Sequence, residues 1–192
     1  MEYLRSELRE AAPTELADPA LYPLSPLEGE SASVIFEFRT SRAGETPERY
    51  AVVVGETEPN YYAVGDLTPD EIFELHLGTR FMLVMGVSQI PPGQPDDDSN
   101  YDVRKDAELI VQRAVTNARL EDVSIAAMFN VDGEKHAVIK ALVNGRAVYI
   151  MGRDAPMGFS TRTEFAPHIA YRLHIGHVLR READPEGDKP QP

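Results

Sequence analysis

With no cysteine in its 192 residues, the chain has five histidines, its carboxylates, its Lys and Arg residues and its Ser, Thr and Tyr hydroxyls as the groups able to do chemistry. That composition excludes disulfides, thiolate zinc sites and a cysteine nucleophile together. Three of the histidines fall within residues 167–182, PHIAYRLHIGHVLRRE, beside Arg172. Imidazoles suit metal ligation, proton transfer near neutral pH and, with arginine, anion binding. Which role is open depends on the element that carries them. Ile169, Tyr171, Leu173 and Ile175 alternate with His168, Ala170, Arg172, His174 and Gly176. That alternation predicts a strand over 168–176, with Pro167 at its entry, where no ladder donor is needed. On a strand, His168 and His174 share a face but stand about 20 Å apart. One ion with bonds of about 2 Å cannot take both. The expectation is a solvated strand face and no metal site. A helix would instead set His174 and His177 three residues apart on one face and reopen metal binding.

The stretch 151–167, MGRDAPMGFSTRTEFAP, leads into this segment and is expected to be a long loop, a kind of connection that is often functional. It carries Arg153, Arg162, Met157 and Phe159, the last two expected to be exposed. Arg153, Arg162, His168, Arg172 and His174 are the candidate ligand- or partner-binding residues, with chemistry suited to a carboxylate or phosphate. Asp154 and Glu164 are the internal partners that would compete for these arginines.

Other groups have plainer explanations. DDDSNYD (96–102) starts like a calcium loop but has Tyr101 where glycine is needed and Ala107 where a bidentate glutamate is needed, so it reads as an acidic surface loop. His76 should lie in the last turn of a short helix as a structural residue, and His136, just past a turn, should be exposed. Asp66, Asp70 and Glu71 fit helix capping rather than a carboxylate pair. Met82, Met85, Met128 and Met151 are expected to fill the core. No phosphate-binding glycine loop, nucleophile elbow or H-E-x-x-H motif is present. No catalytic residue, no metal and no cofactor are therefore expected.

The formal net charge is −13, against the cationic excess that phosphate tracking requires, so nucleic-acid binding is not expected. Acidity is concentrated in the front of the chain. Residues 101–182 are mildly basic, with twelve Lys and Arg against ten Asp and Glu. The first residues, MEYLRSELREAAPTEL, lack the apolar run of a secretory signal, and no stretch is long and apolar enough for a membrane span. A cytoplasmic protein without membrane partners is the expectation.

The elements that must position these groups follow from local pattern. Residues 1–30 read as an irregular N-terminal arm, rich in proline but with leucines suited to a surface, and 183–192 as a disordered tail. Residues 31–182 read as a single α+β domain interrupted by an acidic loop at 91–100. Strands are predicted at 32–40, 49–56 and 60–66. A short helix should start at Thr68-Pro69 and stop at Gly78, followed by a strand at 80–90. A long helix is predicted at about 101–118 from apolar residues at helical spacing. Strands at 123–131, 137–143 and 146–151 should form a meander through tight turns at Asp132-Gly133 and Asn144-Gly145. The fold class is predominantly antiparallel sheet, made of N-terminal strands plus a C-terminal meander, with one long and one short helix. Missing catalytic motifs and an apolar arm point to a non-catalytic interaction protein: an adaptor, chaperone-like protein or assembly subunit that binds a protein partner or itself as a homo-oligomer. The alternative is a small-ligand-binding protein or acid–base enzyme that uses the Arg and His residues of 151–177 for an anionic ligand.

Overall fold

The computed structural model describes residues 13–16, 20–22, 33–40, 48–54, 60–63, 66–91 and 101–183. The fold is α+β with antiparallel sheet, as the pattern predicts, and the strands form two five-stranded sheets. Contacts divide the chain into one unit of Met1–Leu77 with Leu179–Pro192 and another of Gly78–Val178, and the stretch expected to be one domain spans both.

In the first unit, β1 (Pro13–Leu16) and β2 (Ala20–Tyr22) both pair with β3 (Ser33–Thr40), which continues through β4 (Glu48–Val54) to β5 (Asn60–Ala63), all antiparallel. Two pieces of the expected arm are thus strands, and its other residues lie outside the described ones. Ile35, Ala51, Val53 and Tyr62 are buried on one side of this sheet. Helix α1 (Pro69–Val84) begins as its sequence dictates. Glu71 N–H donates to Thr68 Oγ1 (3.2 Å) and Thr68 N–H donates to Glu71 Oε2 (2.9 Å), a reciprocal cap with proline at the first helical position. Ile72, Phe73, Leu75 and Leu77 are buried. His76 is buried with them, its Nδ1 3.1 Å from the Tyr62 hydroxyl. It lies in mid-helix, not in the last turn.

Helix α1 does not stop at Gly78. A methyl group there would overlap the backbone carbonyl of Arg172, whose carbon would lie at 2.6 Å, so this glycine marks a close helix contact rather than a helix end. The strand expected at 80–90 is therefore helix to Val84, then a turn, then β6 (Ser88–Ile90). The apolar run that suggested a buried strand ends exposed, at Leu83, Val84 and Met85. Met85 is accordingly no core filler, whereas Met128 and Met151 are buried.

Helix α2 (Val103–Ala114) is capped by Asp102, which accepts from Lys105 N–H at 3.0 Å. Replacing Asp102 by Ala is expected to lower stability by about 1 kcal/mol in urea unfolding. The acidic loop before it falls outside the described residues.

The meander matches its prediction. β7 (Leu120–Val131), β8 (Glu134–Val143) and β9 (Arg146–Arg153) pair antiparallel, with register shifts in β7–β8 between Glu121 and Ser124 and between Ile125 and Ala127. Their turns put Asp132 and Asn144 at φ 50°, and Gly133 and Gly145 at 90° and 78°, the left-handed pairs such hairpins need. β10 (Gly158–Ser160) adds an edge strand, giving the order β10-β9-β8-β7-β6. The loop expected over 151–167 is thus partly strand. On one face, Ala137, Ile139, Ala141, Val148 and Ile150 pack with Ala107, Ile110 and Val111 of α2.

The last element corrects the reading of the histidine segment. Residues Pro167–Ala183 form helix α3, not a strand. Ile169 and Ala170 N–H both donate to Ala166 O, so Pro167 opens a helix instead of entering a sheet. Ala170, Tyr171, Leu173, Ile175 and Gly176 are all buried, which gives burial on more than one side and an alternation that only imitates a strand. Among the described residues there are three helices, of 16, 12 and 17 residues, where one long and one short were expected.

Candidate functional site

Alternation along β8 sends Ala137 and Ile139 toward α2 and His136 and Val138 to the opposite face. There His136, expected to be exposed, is 5% exposed and its Nδ1 lies 2.7 Å from the hydroxyl of Tyr171 on α3. Tyr171 is fully buried and stacks on Phe129 of β7, with ring centroids 4.4 Å apart and planes 18° apart. The second sheet therefore carries helix on both faces.

Three residues on from Tyr171, His174 donates from Nε2 to Pro156 O (2.7 Å), and Gly158 lies so close that a methyl group there would meet the imidazole ring. Burial drives the His174 pKa below the ordinary imidazole value; the Pro156 carbonyl opposes that shift and His177 adds to it. Burial also lowers the pKa of His168, helped by Arg172 one turn along the helix. Arg172 donates from Nε to Met82 Sδ (3.3 Å).

The other two candidates face elsewhere. Arg153, in a left-handed conformation with φ 59°, lays its guanidinium over the Tyr101 ring, 5.0 Å from the centroid, and stands 4.0 Å from Asp154. Its N–H donates to Asp106 Oδ2 (2.6 Å), which also accepts from the Tyr101 hydroxyl (2.9 Å). Arg162 pairs with Glu164 at 3.1 Å and covers the Phe165 ring. Arg153, Arg162, Arg172 and His174 are thus engaged at separate points around β9, β10 and α3, and Asp154 and Glu164 do take up the arginines nearest them. Helix formation does set His174 and His177 one turn apart. His174 is nevertheless occupied by Pro156, and among the described residues no group of three or more metal-ligating side chains assembles. Among them, too, no helix is long and apolar enough to cross a membrane.

The open edge of the second sheet was legible only in part. Phe159 is the register partner of Ile150, whose side chain belongs to the α2 face, so Phe159 emerges on that side. Met157 precedes it and receives a hydrogen bond from Arg113 Nη1 to Sδ (3.0 Å). Arg113 and Leu109 are one turn apart on α2. Leu109, Met157 and Phe159 are 51%, 59% and 43% exposed. The Arg113–Met157 bond joins α2 to the chain entering β10, and Leu109 and Phe159 are exposed apolar residues of these two elements. Met157 and Phe159 were expected to be exposed, but Leu109 sits in a helical stripe whose outward neighbours are charged and gave no signal of its own.

Comparison with family models, curated proteins and solved structures found no match to this chain.

Proposed function

We propose that this chain is a non-catalytic interaction protein of the cytoplasm, an adaptor, chaperone-like protein or assembly subunit, that binds a protein partner or a second copy of itself along the α2–β10 border. The observation that carries this is the exposure of Leu109, Met157 and Phe159, with Arg113 hydrogen-bonded to Met157 beside the terminal strand of a sheet. Large exposed apolar side chains cost solubility and mark docking surfaces when they cluster. An edge strand also offers unpaired backbone groups that an extended segment can complete. Arginine among apolar groups is the composition that binding surfaces favour.

The reading based on an anionic ligand or acid–base catalysis draws less support. It needs the Arg and His groups of 151–177 to face one ligand, whereas Arg153 lies against Asp154, Arg162 pairs with Glu164 and His174 bonds Pro156.

A photo-crosslinking side chain placed at Phe159, with exposed Lys140 as the control position, tests the proposal in cells. The expected result is a defined crosslinked species at 159 and none at 140. Combining Leu109→Asp with Phe159→Asp should then reduce capture by about tenfold while leaving the melting temperature nearly unchanged, because exposed positions contribute little to stability. Equal crosslinking at both positions would sink the reading.

A further inference from the structure

We propose that His136 and Tyr171 form an acid-operated latch that holds α3 on the second sheet, and that uptake of a proton at His136 releases the helix. The latch does not depend on the partner reading above. Its geometry starts from the two nitrogens of one buried ring. Nε2 of His136 is 3.8 Å from Glu134 Oε2, and a carboxylate favours a proton on the nitrogen that faces it. Nδ1 is then the lone-pair nitrogen, and the Tyr171 hydroxyl donates to it across 2.7 Å.

Adding a proton turns Nδ1 from acceptor to donor. Tyr171 must rotate its hydroxyl to accept, and among the described residues that hydroxyl proton has no second acceptor. A buried donor without a partner, beside a buried cation, is a costly arrangement. Moving Tyr171 away from the sheet relieves both problems, and Tyr171 is the fully buried side chain by which α3 stacks on Phe129.

The surroundings set the sign. Glu134 on β8 and Asp154 beyond β9 both favour the charged ring, yet burial outweighs them and the His136 pKa lies below the ordinary imidazole value. Its register neighbours are Arg153 on β9 and apolar Phe129 on β7. On α3, the titratable or charged residues flanking Tyr171 are His168, Arg172 and His174. The unfolded or released chain therefore binds the proton more readily than the latched one. The latch is complete above an ordinary imidazole pKa of about 6.5 and weakens as pH falls below it. His174 is a different case, because its bond to Pro156 uses an N–H that a second proton leaves in place.

Hydrogen exchange of 167–178, corrected for the intrinsic pH dependence of amides, tests the latch. Protection should fall by about tenfold or more between about pH 7.5 and about pH 5 in the wild-type chain. His136→Asn, whose side-chain oxygen can accept from Tyr171 without titrating, should lose markedly less protection across that range, the remainder coming from the partly buried rings of His168 and His174, while His174→Gln should still lose most of it. Proton NMR of the His136 ring supplies a readout that needs no variant: its titration should coincide with the loss of protection. Unchanged wild-type protection, acid loss in His136→Asn as large as in the wild type, or ring titration without any change in α3 would each overturn the proposal.

Discussion

Replacing Gly78 by Ala is expected to destabilise the protein by about 3 kcal/mol, at or beyond the top of the usual range for overpacking. The sign is the informative part. In an exposed helix interior the same change stabilises by about 1 kcal/mol, because alanine loses less backbone freedom on folding. At Gly78 the added carbon would fall on the backbone carbonyl of Arg172, with the carbonyl carbon at 2.6 Å and Cα at 2.9 Å. Backbone of another helix cannot rotate away as a side chain can, so the helices must part or bend. The measurement is the midpoint of urea unfolding at constant slope. A variant as stable as the parent, or more so, would mean that the two helices do not meet at this glycine. Because Arg172 is one residue from Tyr171, the variant should also loosen the stacking of Tyr171 on Phe129, detectable as a change in near-ultraviolet circular dichroism.

That glycine also explains which parts of the fold were legible. The meander could be read because its determinants are local. Asp132-Gly133 and Asn144-Gly145 adopt the left-handed conformations their turns require, and alternating strands on either side follow from them. The cap at Thr68 was readable for the same reason. The two misread segments depend on distant chain. Gly78 ends a helix in most contexts, and only the neighbouring helix makes it a contact. Residues 169–175 alternate in polarity, but Tyr171 faces the sheet while Arg172 lies against α1, so burial on several sides overrides the helical stripe that would have identified the element. His136 was expected in water because it follows a turn, and the segment that covers it was the one taken as strand. The five candidate residues were chosen for charge, and charge did not reveal that Arg153 and Arg162 are held by ring and carboxylate neighbours.

Truncating Tyr171 to Ala should cost about 4 kcal/mol, the range for removing a buried aromatic side chain. Three losses add in one place. The ring is fully buried, its stacking on Phe129 ends, and Nδ1 of a buried imidazole loses the hydroxyl that satisfies it. Tyr171→Phe separates these contributions. It keeps the ring and deletes only the hydroxyl, so about 1–2 kcal/mol should be lost, the cost of an unsatisfied buried polar atom. A double-mutant cycle between Phe129→Leu and Tyr171→Leu should return a favourable coupling of about 1 kcal/mol for the stacked pair. If Tyr171→Ala costs no more than Tyr171→Phe, the ring contributes nothing to the seat of α3 and the helix is held elsewhere. If the two differ by the expected margin, the sheet face of α3 is anchored by one aromatic side chain. That anchor's hydroxyl meets a histidine, which places a buried aromatic stack next to a contact that one proton can change.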